Sequence, residues 1–190
     1  MPAAGDALVL VDVQNDFLAG GSFAVPHGDE VLPALDRAIE VFRGRGLPVF
    51  ATRDWHPAGH CSFQTRGGQW PPHCVAGTEG AAFAPGLAIF PAVVVISKAT
   101  RADTDAYSGF QGTELHRLLR ERGVRRLFVG GLATDYCVLN TVKDALALGY
   151  QVLLLADGIR AVDAQPGDGA RALAEMTALG ARPIAGGELA

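Results

Sequence analysis

With 190 residues, of which 49% are hydrophobic, the chain is long enough to bury one substantial core, and we expect a single domain over residues 1–190. Its 16 basic and 20 acidic side chains give a net charge of −4 with no run of either sign, which argues against a nucleic acid or an anionic membrane as partner. Three irregularly spaced cysteines fit a reducing compartment, and since no apolar stretch nears the roughly 20 residues that span a bilayer, we expect a cytoplasmic protein.

Short apolar runs alternate with helical patterns along the chain. The runs that predict strands cover residues 7–13, 47–54, 92–98, 125–131, 150–157 and 181–186. The patterns that predict helices cover residues 31–46, 112–123, 134–149 and 167–180. Continuously apolar strands separated by helices are typical of a parallel sheet with helices on both faces. We therefore predict an α/β protein with three layers, α/β/α, around a parallel sheet.

Three chemically distinct side chains follow three of the predicted strands, at the edge of the sheet where ligands of such folds bind. Asp12 and Lys98 close very apolar runs, and Cys137 comes shortly after the fourth strand. Because burial of a lone charge is costly, a purely structural Asp–Lys ion pair is one explanation. The other adds the thiol as a nucleophile, with Asp12 accepting its proton. Since Lys98 would lower the pKa of Asp12 from about 3.9, burial has to compensate if Asp12 is a base.

The position of Cys137 bears on whether it is a nucleophile or a small core residue. With Thr134 as the predicted N-cap, the thiol lies in the first helical turn. There the helix dipole and the nearby Lys98 would favour the thiolate. The N–H groups of Ala133 and Cys137, unpaired at that helix start, would form an oxyanion hole. Core packing is the alternative for a lone cysteine at a helix start.

The irregular segment 54–91 holds a set of candidate metal ligands. These are one carboxylate and three imidazoles, from Asp54, His56, His60 and His73. Such a set suits one divalent ion; we expect zinc, with iron or manganese as alternatives. Solvated loop histidines are one competing explanation, and a zinc site that uses the sulfur of Cys61 or Cys74 is another. Adjacent residues of an extended chain point to opposite sides, which favours the imidazoles over the thiolates.

Five blocks in order, within residues 9–138, carry a resemblance to a known family. They read "VDVQNDF", "RDWHPAGHCSF", "WPPHCVAGT", "SKATRADTDAYSGF" and "GLATDYCV". Together they resemble the nicotinamidases of the isochorismatase-like cysteine hydrolase superfamily. The resemblance implies a Rossmann-like fold with a six-stranded parallel sheet and a cis peptide bond between Leu132 and Ala133. It also implies a catalytic triad of Asp12, Lys98 and Cys137. The metal site would be formed by Asp54, His56, His60 and His73. The substrate pocket would have aromatic walls formed by Phe17, Trp70 and Tyr107.

The same resemblance implies a metal-dependent amidohydrolase that converts nicotinamide to nicotinate and ammonia through a thioester, a reaction of NAD salvage. The pyridine nitrogen of the substrate would coordinate the metal and so orient the amide toward Cys137. On pattern alone, core packing is the alternative explanation for the three aromatic residues, and a homo-oligomer is left open.

Other functions compete with this expectation. Relatives that lack the metal act on isochorismate or on carbamoyl and ureido compounds, so a hydrolase of another amide, imide or isochorismate-like ester is the nearest alternative. A non-catalytic metal-binding or thiol-based sensor is an alternative from another class. A dinucleotide-binding protein is disfavoured, because the loop after the first strand lacks the glycine fingerprint that a pyrophosphate needs.

Overall fold

Six strands form one sheet in the structure, a computed structural model that describes residues 1–189. The strands are β1 Asp6–Val11, β2 Val49–Asp54, β3 Val94–Lys98, β4 Arg126–Leu132, β5 Gln151–Arg160 and β6 Arg182–Ile184. The helices are α1 Leu32–Gly44, α2 Leu115–Glu121, α3 Leu139–Ala147 and α4 Asp168–Ala178. The strand order is β3-β2-β1-β4-β5-β6, and every neighbouring pair is parallel. The predicted six-stranded parallel sheet is therefore confirmed.

Helices cover both faces of this sheet. Alternate side chains of a strand point to opposite faces, and in β1 Leu8 and Leu10 pack into one core while Val9 and Val11 pack into the other. The first core is closed by apolar residues of α1, namely Leu35, Ile39 and Phe42. The second is closed by α2, α3 and α4 through Leu119, Val142 and Met176. This arrangement confirms the three-layer α/β/α prediction.

The central strands β1 and β4 meet closely at both ends. At the beginning, Arg126 binds both carboxylate oxygens of Asp6, with Nε 2.9 Å from Oδ1 and Nη2 2.6 Å from Oδ2. At the other end, Gly131 has a φ of +131°, and a Cβ built on it would collide with the backbone oxygen of Val11. Glycine is required there because no side chain fits between the two strands. This contact brings the chain after β4 next to Asp12, the residue that follows β1.

The turn that carries Cys137 differs from the prediction. Residues Thr134–Val138 form a π-helical turn before α3, and the preceding Leu132–Ala133 peptide bond is cis, as the family resemblance implied. The prediction of Thr134 as N-cap is wrong, because Ala133 occupies that position and no side chain caps the turn. The carbonyl oxygen of Ala133 accepts the N–H groups of Tyr136 and Val138, each at 3.1 Å, so the turn begins one residue earlier.

The long segment after β2 has little regular structure, as predicted. It contains a short 3-10 turn at Gln64–Arg66 and two isolated bridges, one from His56 to Val75 and one from Phe63 to Trp70. These bridges fold the segment back on itself beside the end of β2. Within residues 1–189, no helix has both the length and the apolar character needed to cross a membrane.

Candidate active site

The Lys98 ammonium group lies at the centre of the candidate site and is fully buried. Its three protons have three acceptors: Asp54 Oδ1 at 2.5 Å, the carbonyl oxygen of Ala106 at 3.2 Å and Cys137 Sγ at 3.4 Å. A fourth group, Asp12 Oδ2, lies 2.9 Å from Nζ. Burial alone would lower the pKa of Lys98, but the charges of Asp12 and Asp54 outweigh burial and raise this pKa well above its ordinary value. The lysine is therefore a permanent positive charge beside the thiol.

Both carboxylate oxygens of Asp12 have a polar partner. Thr52 Oγ1 donates a hydrogen bond to Oδ1 at 2.6 Å. Oδ2 is ion-paired with Lys98, whose Nζ lies 2.9 Å away. Burial raises the pKa of Asp12 despite the opposing charge of Lys98. Burial thus offsets the effect of Lys98 on the pKa of Asp12, as a role of Asp12 as a base requires.

The Cys137 thiol lies within 4.8 Å of a carboxylate oxygen of both Asp12 and Asp54. The sequence predicts that the helix dipole and Lys98 favour a thiolate here. In the structure burial is the larger effect, and it raises the pKa of Cys137 well above its ordinary value although Lys98 opposes it. The resting site therefore holds a protonated thiol next to a carboxylate of raised pKa, which is the arrangement needed to move one proton between them.

Two backbone N–H groups lie beside the thiol. Within residues 1–189, the N–H of Ala133 donates to no backbone acceptor and that of Cys137 to none outside its own turn, whereas the neighbouring N–H groups of Tyr136 and Val138 both donate to the carbonyl oxygen of Ala133. Ala133 and Cys137 also line the same pocket. Unpaired N–H donors at a reactive carbon are the usual elements of an oxyanion hole.

Three of the four candidate metal ligands converge. Ligand atoms of Asp54, His56 and His73 lie within 4.8 Å of one another, and all three residues are buried. The Nδ1 atom of His56 lies 3.0 Å from the carbonyl oxygen of His73, and Nδ1 of His73 lies 2.7 Å from that of Pro71. Since a carbonyl oxygen only accepts, each Nδ1 carries the proton and each Nε2 keeps a free lone pair. Such outer hydrogen bonds are what orient histidine ligands toward a metal.

The fourth candidate, His60, stands slightly apart. It groups instead with His56 and Asp105. The N–H of Ser62 donates to its Nδ1 at 3.3 Å, and its Nε2 lies 3.2 Å from the carbonyl oxygen of Thr104. In that arrangement Nε2 carries the proton and donates it to Thr104. To bind a metal through Nε2, His60 must change tautomer and release this carbonyl group, while its Nδ1 is engaged by Ser62, whose Oγ lies 2.8 Å away.

Cys137, Ala133 and the three converging metal-ligand candidates line one pocket of about 430 Å³, a volume that includes its opening to solvent. All three predicted aromatic residues, Phe17, Trp70 and Tyr107, line it. Trp70 Nε1 donates to Tyr107 Oη at 2.9 Å, so these two rings are fixed relative to each other. A flat, partly apolar ligand fits such walls.

Sequence reasoning missed other residues of this pocket. Phe23 stacks at a tilt on Trp70 with ring centroids 4.9 Å apart, and Tyr136 contacts the same indole edge-on at 5.1 Å. Asp105 and Val162 line the pocket as well. Tyr136 could have been found from its place beside Cys137, whereas Phe23 lies in a loop whose sequence has no periodicity.

Comparison with known proteins agrees with this geometry. Residues 6–187 match the protein family described as the isochorismatase domain. The chain belongs to the isochorismatase family. Among its relatives, the nicotinamidase of Escherichia coli (strain K12) is 44% identical over 196 residues, which cover 92% of each chain. The resemblance to this superfamily seen in the sequence is thereby confirmed.

Solved structures resemble this isochorismatase-family chain over nearly their whole length. The pyrazinamidase of Pyrococcus horikoshii in complex with zinc superposes with a TM-score of 0.92 at 45% identity, covering 95% of this chain and 99% of that one. PnC1 from L. infantum in complex with nicotinate superposes with a TM-score of 0.87 at 38% identity, covering 97% and 94%. The α/β fold of the family is thus shared closely.

Proposed function

We propose that the chain is a nicotinamidase, which hydrolyses nicotinamide to nicotinate and ammonia with Cys137 as nucleophile. The observation that carries this proposal is the contact of Lys98 with both Asp12, at 2.9 Å, and the sulfur of Cys137, at 3.4 Å. Cys137 in turn lines the pocket that also holds three buried metal-ligand candidates. The names of the E. coli, P. horikoshii and L. infantum relatives support the same substrate class. The reaction would serve NAD salvage in the cytoplasm.

In the first half-reaction the thiol attacks the carboxamide carbon. The Cys137 proton moves to Asp12 Oδ2 while the new C–S bond forms, and Lys98 holds the carboxylate in place. The amide oxygen, now negative, accepts hydrogen bonds from the N–H groups of Ala133 and Cys137. Asp12 then returns its proton to the amide nitrogen, the C–N bond breaks, and ammonia leaves a thioester on Cys137.

In the second half-reaction water hydrolyses the thioester. Asp12 takes a proton from the water as its oxygen adds to the carbonyl carbon, and the same two N–H groups bind the oxyanion. The C–S bond breaks, the proton returns to the sulfur of Cys137, and nicotinate is released. One carboxylate thus acts as base and acid in turn, which suits a group whose pKa burial has raised.

A divalent metal, zinc by preference, would be held by Asp54, His56 and His73, with His60 as a fourth ligand after it leaves Thr104. The free Nε2 lone pairs of His56 and His73 fit this use. So does the lowered pKa of Asp54, which burial would raise but the charge of Lys98 lowers. When bound, the metal supplies a Lewis-acid site for the pyridine nitrogen, which orients the amide. The aromatic walls at Phe17, Trp70 and Tyr107 would each add about 0.5–1.5 kcal/mol to ring binding.

The proposal is tested by the release of ammonia from nicotinamide by the purified protein, before and after chelation and again after zinc is added back. We expect release that is lost on chelation and restored by zinc. Benzamide is the matched control substrate, since it has the same shape and carboxamide but no ring nitrogen, and we expect it to be turned over far more slowly. Zinc binding without ammonia release would redirect the search to ureido, imide and isochorismate-like substrates. Release that is unaffected by chelation would contradict the metal requirement.

Replacement of single histidines should separate the metal ligands. We expect His73→Ala to lower zinc affinity by more than about 100-fold, beyond the cost of losing an outer partner of a ligand. His60→Ala should lower it less, because His60 Nε2 is engaged by Thr104. Zinc affinity measured by competition with a chelator distinguishes the two. An equal loss in both variants would show that His60 binds the metal as directly as His73 does.

A further inference from the structure

The side-chain amide of Gln14 is buried, and every hydrogen-bonding position it offers to a neighbour is used. Oε1 accepts the N–H of Asp54 at 2.8 Å. Nε2 donates to the carbonyl oxygen of Asp54 at 2.8 Å and to that of Ala81 at 2.9 Å. The residue is wholly inaccessible to solvent. Both backbone groups of Asp54 are thus bound by one side chain.

The Gln14 amide takes the place of a backbone partner that β1 does not provide for Asp54. β1 pairs with β2 as far as the register Val11 opposite Thr52. The chain then turns away, because Asp12 adopts a left-handed conformation with a φ of +49°. The backbone of β1 therefore cannot reach the N–H and C=O of Asp54, which would be left unpaired in a buried region. The Gln14 amide, with one acceptor and two donors, continues the ladder by one step.

The same side chain joins the end of β2 to the long loop. Besides the Nε2 contact with Ala81, the Gln14 backbone forms an antiparallel bridge with Phe83. Three segments meet at Gln14: the turn after β1, the last residue of β2 and the loop around residue 81. The side chain of Asp54 leaves this junction toward Lys98 and the imidazole of His56, which lie 2.5 Å and 3.9 Å from its Oδ1.

We propose that Gln14 is a positioning residue for the metal centre, which holds the backbone of Asp54 so that its carboxylate faces His56 and His73. This inference rests on the proposed function, since it assumes that Asp54 binds the metal. A ligand whose backbone is fixed from both sides loses less freedom when the ion binds, so the site is pre-organised. A merely structural hydrogen bond would contribute to folding without changing metal affinity.

The test measures the zinc affinity of the folded protein by competition with a chromogenic chelator. Gln14→Met keeps the length and burial of the side chain but removes all three hydrogen bonds, and we expect its zinc affinity to fall about 10- to 100-fold. Asn15→Ala is the matched control, because Asn15 is the next amide along the chain and donates to the same long loop, at the carbonyl oxygen of Glu79, but is partly exposed. Its zinc affinity should stay within about twofold of the original.

A second variant guards against loss of folding. Gln14→Glu retains the acceptor for the N–H of Asp54. Because its carboxyl group would be buried against two carbonyl oxygens, we expect it to be protonated and to donate to only one of them. Zinc affinity should therefore fall in this variant too, but by less than in Gln14→Met. The affinity is expressed per folded molecule, with the folded fraction taken from circular dichroism.

Each outcome is decisive. Zinc affinity in Gln14→Met or Gln14→Glu equal to that of the unmodified chain overturns the inference, as does an equal loss in Asn15→Ala. An unmodified chain that binds zinc but releases no ammonia overturns the proposed reaction alone, since the role of Gln14 is judged on affinity. An unmodified chain that binds no zinc overturns both, and this is seen before any variant is compared.

Discussion

Cys137→Ala is expected to abolish ammonia release from nicotinamide, by on the order of 10⁴-fold or more, because no other group can form the thioester. The sulfur lies 3.4 Å from Lys98 and within 4.8 Å of Asp12, in the pocket that Ala133 also lines. Cys74 cannot substitute for it: this thiol is fully buried, and burial raises its pKa far above the ordinary value. Nicotinamide should still bind, since alanine leaves the aromatic walls and the metal ligands intact. Initial rates and isothermal titration calorimetry measure the two properties.

Cys61→Ala is the matched control for this variant. Cys61 is the partly exposed thiol of the chain and is not among the residues that line the pocket. Its replacement should leave turnover unchanged. Normal turnover in Cys137→Ala would remove this cysteine from the mechanism, and equal losses in the two variants would indicate general damage rather than a missing nucleophile.

The second large effect is expected for Asp12→Asn, which should lower kcat by about 10²- to 10⁴-fold, the range that general acid–base catalysis contributes. The amide has nearly the shape of the carboxylate, so the contacts with Thr52 and Lys98 can be kept in altered form. It cannot accept the thiol proton or return it to the leaving nitrogen. Because Asp12 would act in both half-reactions, acylation and deacylation should both be slowed, and a pre-steady-state burst of ammonia should be absent.

Asp6→Asn provides a stringent control for Asp12→Asn. Asp6 is also a buried carboxylate of β1 in an ion pair, with Arg126, but at the opposite end of the strand. We expect it to cost stability and leave kcat per folded molecule unchanged. A kcat for Asp12→Asn within about tenfold of the unmodified protein would fall below the contribution of a general base and would exclude that role.

The sequence was sufficient to place the reactive side chains on one edge of the sheet. Continuous apolar runs predicted β1 and β3, and the single charges that close them predicted that Asp12 and Lys98 would meet. The same reasoning predicted where Cys137 would lie, because parallel strands all end at the same edge. The grouping of Asp54, His56 and His73 also followed from residue type and proximity in the chain.

What the sequence could not supply depends on contacts between distant segments. The tautomer of His60 is set by the carbonyl oxygen of Thr104, 44 residues away, and no local pattern encodes that contact. The role of Gln14 depends on Asp54, 40 residues away. The error at Thr134 has a different cause: serine and threonine are common N-caps, but here no side chain caps the turn and the carbonyl oxygen of Ala133 is its first acceptor.

The strand order separates the site into an early and a late part of the chain. The site residues from Asp12 to Lys98 lie on β1, β2 and β3 or on the segments that connect them, whereas Cys137 follows β4, which pairs with β1 across 120 residues at the Asp6–Arg126 contact. Closing so long a loop is entropically costly and slow. We therefore expect the nucleophile to meet its base only after β4 has been synthesised and has paired with β1, so that an incomplete chain emerging from a ribosome is hydrolytically inert even where its first three strands have already formed.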